Sequence, residues 1–237
     1  MKIQDSVALV TGANRGLGFA FAQGLLAGGA RKVYAAARDP ASVTLPGVEA
    51  IKLDVTKPDE VEAAARVLGD VTLVVNNAGI LRGSGFLGDD GLLAVRAEFD
   101  TNFFGPLLMS RAFAPILAKN GGGAIVNVLS ALSWVNMPTS STYCASKSAA
   151  WSLSNGLRNE LRGQNTQVLA LHVGFMDTDM AREVTAPKSK PEDVVAQALA
   201  ALEAGKSEVL ADDVSRRIKQ HLSDEPGVYL EPRSAAA

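Results

Sequence analysis

Short, nearly continuous apolar runs punctuate the chain at 7–10 (VALV), 32–37 (KVYAAA), 48–53 (VEAIKL), 72–76 (TLVVN), 124–129 (AIVNVL) and 167–173 (QVLALHV). Runs of this length, rich in β-branched residues and without polar alternation, are what strands buried on both faces look like. Between them, apolar residues recur at helical spacing over Leu17 to Ala27, Asp59 to Leu68, about Leu93 to Ala118, and Thr142 to Leu161. Pro58 stands at a first-turn position, where a missing N–H is tolerated. Gly121-Gly122-Gly123 ends the long third helix and opens the fifth strand, and two further helices, about Pro191 to Ala204 and Asp213 to Leu222, close the pattern. Strand then helix, repeated, predicts an α/β fold: a doubly wound parallel sheet with right-handed crossovers and helices on both faces. No internal repeat and no long linker divides the chain, so residues 1–237 are read as a single domain, with Ser234 to Ala237 set aside as an appended tail.

With 47% hydrophobic and 20% charged residues, the chain has the apolar material for a large core and too little charge for disorder. Lys plus Arg number 23 against 25 Asp plus Glu, with no block of like charge, which argues against nucleic acid or a membrane surface as partner. A single cysteine, Cys144, excludes an intramolecular disulfide, and two histidines leave no expectation of a metal site. The opening MKIQDSVALV lacks the long apolar segment of a signal peptide, and no apolar run reaches the length of a membrane span. A cytoplasmic location is the expectation.

Two short stretches carry chemistry. Thr11-Gly12-Ala13-Asn14-Arg15-Gly16-Leu17-Gly18 follows the first strand and opens the first helix. In that setting glycines let the backbone approach a diphosphate, while the free N–H groups of the helix N-terminus face the anion. The second stretch places Tyr143 four residues before Lys147, so that both share one helix face. A free phenol is a competent proton donor but a poor base at neutral pH. An ammonium beside it is expected to lower its pKa, easing proton exchange with an alcohol or carbonyl oxygen.

Gly12-x-x-x-Gly16-x-Gly18, Asn76-Asn77-Ala78-Gly79 after the fourth strand, and Tyr143-x-x-x-Lys147 occur in one order at matching spacings. On these motifs the chain resembles the classical short-chain dehydrogenase/reductase family, from Val7 to about Leu210. The resemblance implies a Rossmann-type sheet of about seven strands, the seventh at 208–212, and a nicotinamide cofactor lying across the carboxyl ends of the strands. It implies a catalytic tetrad in which Ser130 orients the substrate, Tyr143 exchanges the proton, Lys147 also holds the nicotinamide ribose and Asn102 supports a water chain. Cofactor contacts implied by the same match are Gly12, Asn14, Arg15, Gly16, Leu17, Gly18, Asn77, Ala78, Gly79, Tyr143 and Lys147. Asp54 and Val55 match the adenine contacts, and Gly174, Met176 and Thr178 lie in the loop after the sixth strand. There, Val173 stands where the family carries proline, and the loop loses a φ restraint.

An acid at the end of the second strand of a dinucleotide fold binds ribose hydroxyls, whereas arginine accommodates a 2′-phosphate. Here Ala37 is followed by Arg38, and Arg15 is a second cation on the same side, so NADP(H) is the expected cofactor, with Asp39 the residue that argues against it. Expected pocket walls are Leu81, Ser130, Leu132, Trp134, Met137, Tyr143, Phe175, Met176 and Met180. Few are polar and none is cationic, which suits an uncharged, fairly hydrophobic ketone or aldehyde. The segment 179–190 is short for a lid and predicts an open or shallow pocket. The reading is an NADPH-dependent carbonyl reductase that also runs as a secondary alcohol dehydrogenase. The competing reading, an NADP(H)-binding redox sensor without turnover, is disfavoured by the presence of both Tyr143 and Lys147. Cys144 reads as a packing residue, and His172 and His221 as outside the chemistry. The resemblance also implies a homodimer or homotetramer formed through the helices at 93–118 and 142–162. Ala145, Ala149 and Ala150 give the second helix a close-packing face, and the apolar 227–230 tail is expected to dock on a neighbour or cover a pocket.

Overall fold

A computed structural model describes residues 1–230; the tail from Ser234 to Ala237 lies outside the described residues. Seven parallel strands form one sheet: β1 (Val7–Thr11), β2 (Lys32–Ala37), β3 (Glu49–Lys52), β4 (Leu73–Asn76), β5 (Gly123–Val128), β6 (Thr166–His172) and β7 (Glu208–Leu210). Their order is β3-β2-β1-β4-β5-β6-β7. The chain runs outward one way from β1 and the other way from β4, so a crevice opens at the carboxyl ends of these two neighbours.

Alternation along each strand builds two separate apolar layers. Ala8 and Val10 of β1 join Phe21 and Leu25 of α1 (Gly16–Ala27) and Val194, Val195 and Leu202 of α6 (Pro191–Glu203). Val7 and Leu9 face the other side, toward Val61 of α2 (Pro58–Val67), Met109, Phe113 and Leu117 of α4 (Gly105–Lys119) and Leu157 of α5 (Ser141–Glu160). The remaining helices are α3 (Gly91–Phe99) and α7 (Asp213–Gln220). Among the described residues no helix is long and apolar enough to cross a membrane.

Two expectations need correction. β3 is not buried on both faces: it is an edge strand, and Glu49, Ala50 and Lys52 are exposed. Charged residues suit that place, because they discourage pairing with a second sheet. The long third helix runs unbroken from 91 to 119, but not as a uniform α-helix. Between α3 and α4 the turn widens over Asp100–Phe104, with the Gly105 N–H reaching back five residues to the Asp100 carbonyl. Such widened turns bulge the backbone and re-aim the side chains that they carry.

Candidate active site

β1 delivers Thr11 to the crevice, and the chain turns through Gly12 and Gly16 at φ +64° and +54°, backbone conformations that favour glycine. A Cβ on Gly18 would collide with the Gly12 carbonyl and come within 2.5 Å of Asn77 Nδ2, so α1 can approach β1 this closely only with glycine there. Arg15 precedes α1 without capping it, which leaves the first N–H groups of the helix without a side-chain cap and suited to an anion. Asn77 locks this cradle from the β4 side. Its amide donates to the carbonyls of Thr11 (2.9 Å) and Gly12 (3.2 Å), while Thr11 Oγ1 accepts the N–H groups of Asn77 and Ala78, both at 3.0 Å. Leu17 and Val55 are buried in the two apolar layers, whereas Asn14, Ala78 and Gly79 are half-buried at the crevice end. The residues present therefore fit a dinucleotide.

Exposed Arg38 edges a cavity of about 350 Å³ shared with Thr56, Ile80, Arg82 and Asp100. The Asp39 carboxylate is turned to its own backbone, accepting the Ala41 N–H at 3.0 Å and capping the short turn Pro40–Ser42. Asp54 Oδ1 accepts from the Thr56 N–H (3.0 Å) and hydroxyl (2.8 Å). Arg15 is 71% exposed and pairs with Asp179 at 3.3 Å. Asp179 also pairs with Arg182 at 2.6 Å, and the Arg182 hydrogen bond foremost holds its carboxyl below the usual range.

The catalytic constellation comes from three elements. On α5, Tyr143 and Lys147 lie one turn apart and both are buried. Lys147 Nζ stands 5.7 Å from the centroid of the phenol ring and donates to the Val128 carbonyl at the end of β5, at 2.8 Å. Ser130 opens the turn after β5: its Oγ accepts the Leu132 N–H (3.1 Å) and its N–H donates to Ser133 Oγ (3.3 Å). Asn102 sits on the widened turn. Its Oδ1 accepts the Ile80 N–H, and its Nδ2 donates to the Ile80 carbonyl and to Ser146 Oγ, all at 2.9 Å. A Cβ on Gly79 would lie 3.3 Å from Asn102 Oδ1 and 3.7 Å from Lys147 Nζ, so these three residues meet at one point.

Burial pushes the Tyr143 phenol well above its ordinary pKa, and the neighbouring Ser130 hydroxyl opposes the rise. Burial outweighs the lowering expected of Lys147. That amine is itself stripped of water, and burial pushes it down to about 8. Tyr143 is thus a neutral phenol at physiological pH, ready to donate.

The loop after β6 closes the site. Val173 is buried and accepts the Ala131 N–H at 3.0 Å, while the Gly174 N–H donates to Asp212 Oδ2. Asp212 is fixed in turn by capping α7 through the Ser215 N–H, at 2.7 Å. These bonds restrain the backbone where proline is missing. Thr178 lies across the glycine turn, its methyl 3.3 Å from where a Gly16 Cβ would be. Met176 pairs with Ser189 across the loop. Of the expected pocket walls, Leu81 and Met180 are exposed, and Leu132, Met137 and Phe175 are half-buried. Trp134 is not an open wall: it is stacked on His172 (centroids 3.9 Å, planes 20° apart), set edge-on to Trp151, and packed with Ile218.

His172 is fully buried, and burial pushes its pKa down to about 4. Between that value and the ordinary 6.5 the unfolded chain binds the proton and the folded chain does not, so stability rises with pH across this window and is lost as pH falls through about 4. The expected result is a loss on the order of 2 kcal/mol in unfolding free energy from pH 6.5 to 4, smaller in His172→Leu. Urea titrations at both pH values check it; equal slopes in the two proteins would assign the acid sensitivity to other groups.

With the geometry in hand, comparisons with known proteins agree with it. Residues 6–189 match the family model described as short chain dehydrogenase. A short chain dehydrogenase from Burkholderia cenocepacia J2315, solved in complex with NADP, is 41% identical, superposes with a TM-score of 0.93, and is matched over 98% of this chain and 100% of its own. A short chain dehydrogenase/reductase from Burkholderia phymatum in complex with NAD is 25% identical, with a TM-score of 0.84 and 99% of both chains covered. The 1-deoxy-11-beta-hydroxypentalenate dehydrogenase of Streptomyces exfoliatus is 35% identical over 202 residues, covering 79% of this chain and 74% of that protein. The fold is therefore shared along nearly the whole chain, and this protein belongs to the short chain dehydrogenase family.

Proposed function

We propose that this protein is an NADPH-dependent carbonyl reductase, running reversibly as a secondary alcohol dehydrogenase on uncharged, fairly hydrophobic ketones or aldehydes. The observation that carries the reading is a buried, neutral phenol beside the Ser130 hydroxyl, one helical turn from a buried lysine, at the carboxyl end of a dinucleotide-type sheet. NADPH, when bound, supplies the hydride for the carbonyl carbon. The protein's own residues do the rest. Ser130 and Tyr143 take the carbonyl oxygen between two hydroxyls, and Tyr143 gives its proton to the alkoxide that forms. Lys147 stabilises the charge left on the phenol and holds the nicotinamide ribose, and Asn102 supports a water path through which the proton is replaced.

Cofactor choice follows from Arg38 and Arg15, with Asp39 committed to its own turn. The Burkholderia cenocepacia relative, bound to NADP, supports this choice, although the Burkholderia phymatum relative was found with NAD. Substrate class follows from walls such as Leu81, Leu132, Met137, Phe175 and Met180, with no cation among them. The hydroxypentalenate dehydrogenase among the relatives fits a reaction at a hydroxyl or carbonyl carbon. One domain carries both cofactor and catalysis, and copies associate as a dimer or tetramer through α4 and α5 in the cytoplasm. Exposed Phe104, beside α4, is consistent with such an interface. The test follows NADPH and NADH oxidation over a panel of aryl and alkyl ketones and aldehydes. Turnover preferring NADPH supports the reading; tight NADPH binding with no turnover across the panel favours the sensor.

A further inference from the structure

Ser130 stands just past β5, and its hydroxyl has to be aimed to within a few tenths of an ångström if it is to share a carbonyl oxygen with Tyr143. Three of the bonds that hold it are local, to Leu132 and Ser133 of its own turn. A fourth comes from elsewhere. His172 Nδ1, at the end of β6, lies 3.2 Å from the Ser130 carbonyl oxygen. The imidazole is held by packing: it is fully buried and stacked at 3.9 Å on Trp134, while Nε2, 3.6 Å from Glu208 Oε1 of β7, makes no hydrogen bond. Lys219 of α7 closes the shell, paired with Glu208 at 3.1 Å and lying 4.9 Å over the Trp134 ring. The charged groups that face the ring are therefore Glu208 from β7, Lys219 from α7 and Lys147 from α5. Glu208 is neutralised by Lys219, so nothing demands an imidazolium here. A ring with its proton on Nδ1 adds a second donor to the Ser130 carbonyl, which also accepts the Ser133 N–H at 3.0 Å.

We propose that His172 is a positioning residue for Ser130: its Nδ1–H holds the serine carbonyl, and the stack on Trp134, itself covered by Lys219, holds the ring, so that β6 and α7 together aim the hydroxyl. The inference rests on the reading of Ser130 as a substrate-binding residue. It also gives the C-terminal helix a part in turnover without any contact with substrate.

Nitrogen-15 NMR of histidine-labelled wild-type protein reads the tautomer directly. The expected spectrum between pH 6 and 8 has His172 protonated at Nδ1 and bare at Nε2; an Nε2–H tautomer overturns the proposal, whatever any variant does. Steady-state kinetics then separate positioning from packing. His172→Leu is expected to lower kcat for ketone reduction roughly tenfold or more, with the NADPH Kd within about twofold. His172→Asn, whose amide can place a donor near Nδ1, is expected to keep kcat within about threefold of wild type. Equal losses in both variants, or none in His172→Leu, overturn it. Ser130→Ala with full turnover would bring down the underlying reading of the site, and this inference with it; a dead Ser130→Ala beside a fully active His172→Leu overturns the inference alone.

Discussion

Replacing Tyr143 with phenylalanine is expected to lower kcat for ketone reduction by a factor on the order of 10³ while leaving the NADPH Kd within about threefold. Burial keeps this phenol protonated, with the Ser130 hydroxyl beside it, so what the variant loses is the one neutral acid aimed at the developing alkoxide. The ring itself packs as before, and the glycine turn that would carry the cofactor belongs to a different element. The effect should therefore fall on kcat and not on binding. Direction matters as well. Alcohol oxidation needs the phenolate, which burial disfavours, so oxidation at neutral pH should be slow and should climb as pH rises. Absorbance traces of NADPH consumption, paired with fluorescence titration of NADPH, measure both quantities. A kcat within tenfold of wild type would remove Tyr143 from the proton-transfer role.

The parts of this fold that were readable from sequence are those where burial leaves no alternative. β1, β4, β5 and β6 are covered on both faces, so their sequences are apolar throughout and stand out. β3 was misjudged because Val48, Ile51 and Leu53 mimic that pattern around an edge strand whose own residues are mostly exposed. The widened turn at Asp100–Phe104 has a local cause in Gly105-Pro106, since Pro106 has no N–H to return to the Asn102 carbonyl, and a tertiary one in the three bonds that Asn102 makes to Ile80 and Ser146. The tyrosine–lysine pair was visible as an i, i+4 spacing, yet its electrostatics were not. Whether the ammonium tunes the phenol depends on how much water each has lost, and burial decides that. His172 and Asp212 escaped for the same kind of reason. The first acts on a carbonyl 42 residues upstream, and the second on an N–H 38 residues upstream, and no local pattern reports such partners.

Changing Arg15 and Arg38 together to alanine is expected to weaken NADPH binding on the order of 10²-fold while leaving NADH within about threefold. A 2′-phosphate is the difference between the two cofactors, and each guanidinium can give it charge-assisted hydrogen bonds in a fork that fits its oxygens. Asp39 does not compete, because its carboxylate caps the turn that follows β2. Arg15 begins in a pair with Asp179, but both partners are largely exposed, and such pairs contribute little, so the arginine is readily drawn to a better anion. The two single variants carry further information. Arg38 edges the cavity next to Thr56, whereas Arg15 stands on the glycine turn, so if both touch one phosphate their effects should fall short of adding. Titrations with 2′,5′-ADP and 5′-AMP isolate that contact from the nicotinamide end. If the double variant weakens the two nucleotides equally, the arginines serve the diphosphate or the overall field and not the 2′-phosphate, and the preference for NADPH must then come from residues elsewhere on the rim, of which Arg82 is the nearest cation to examine.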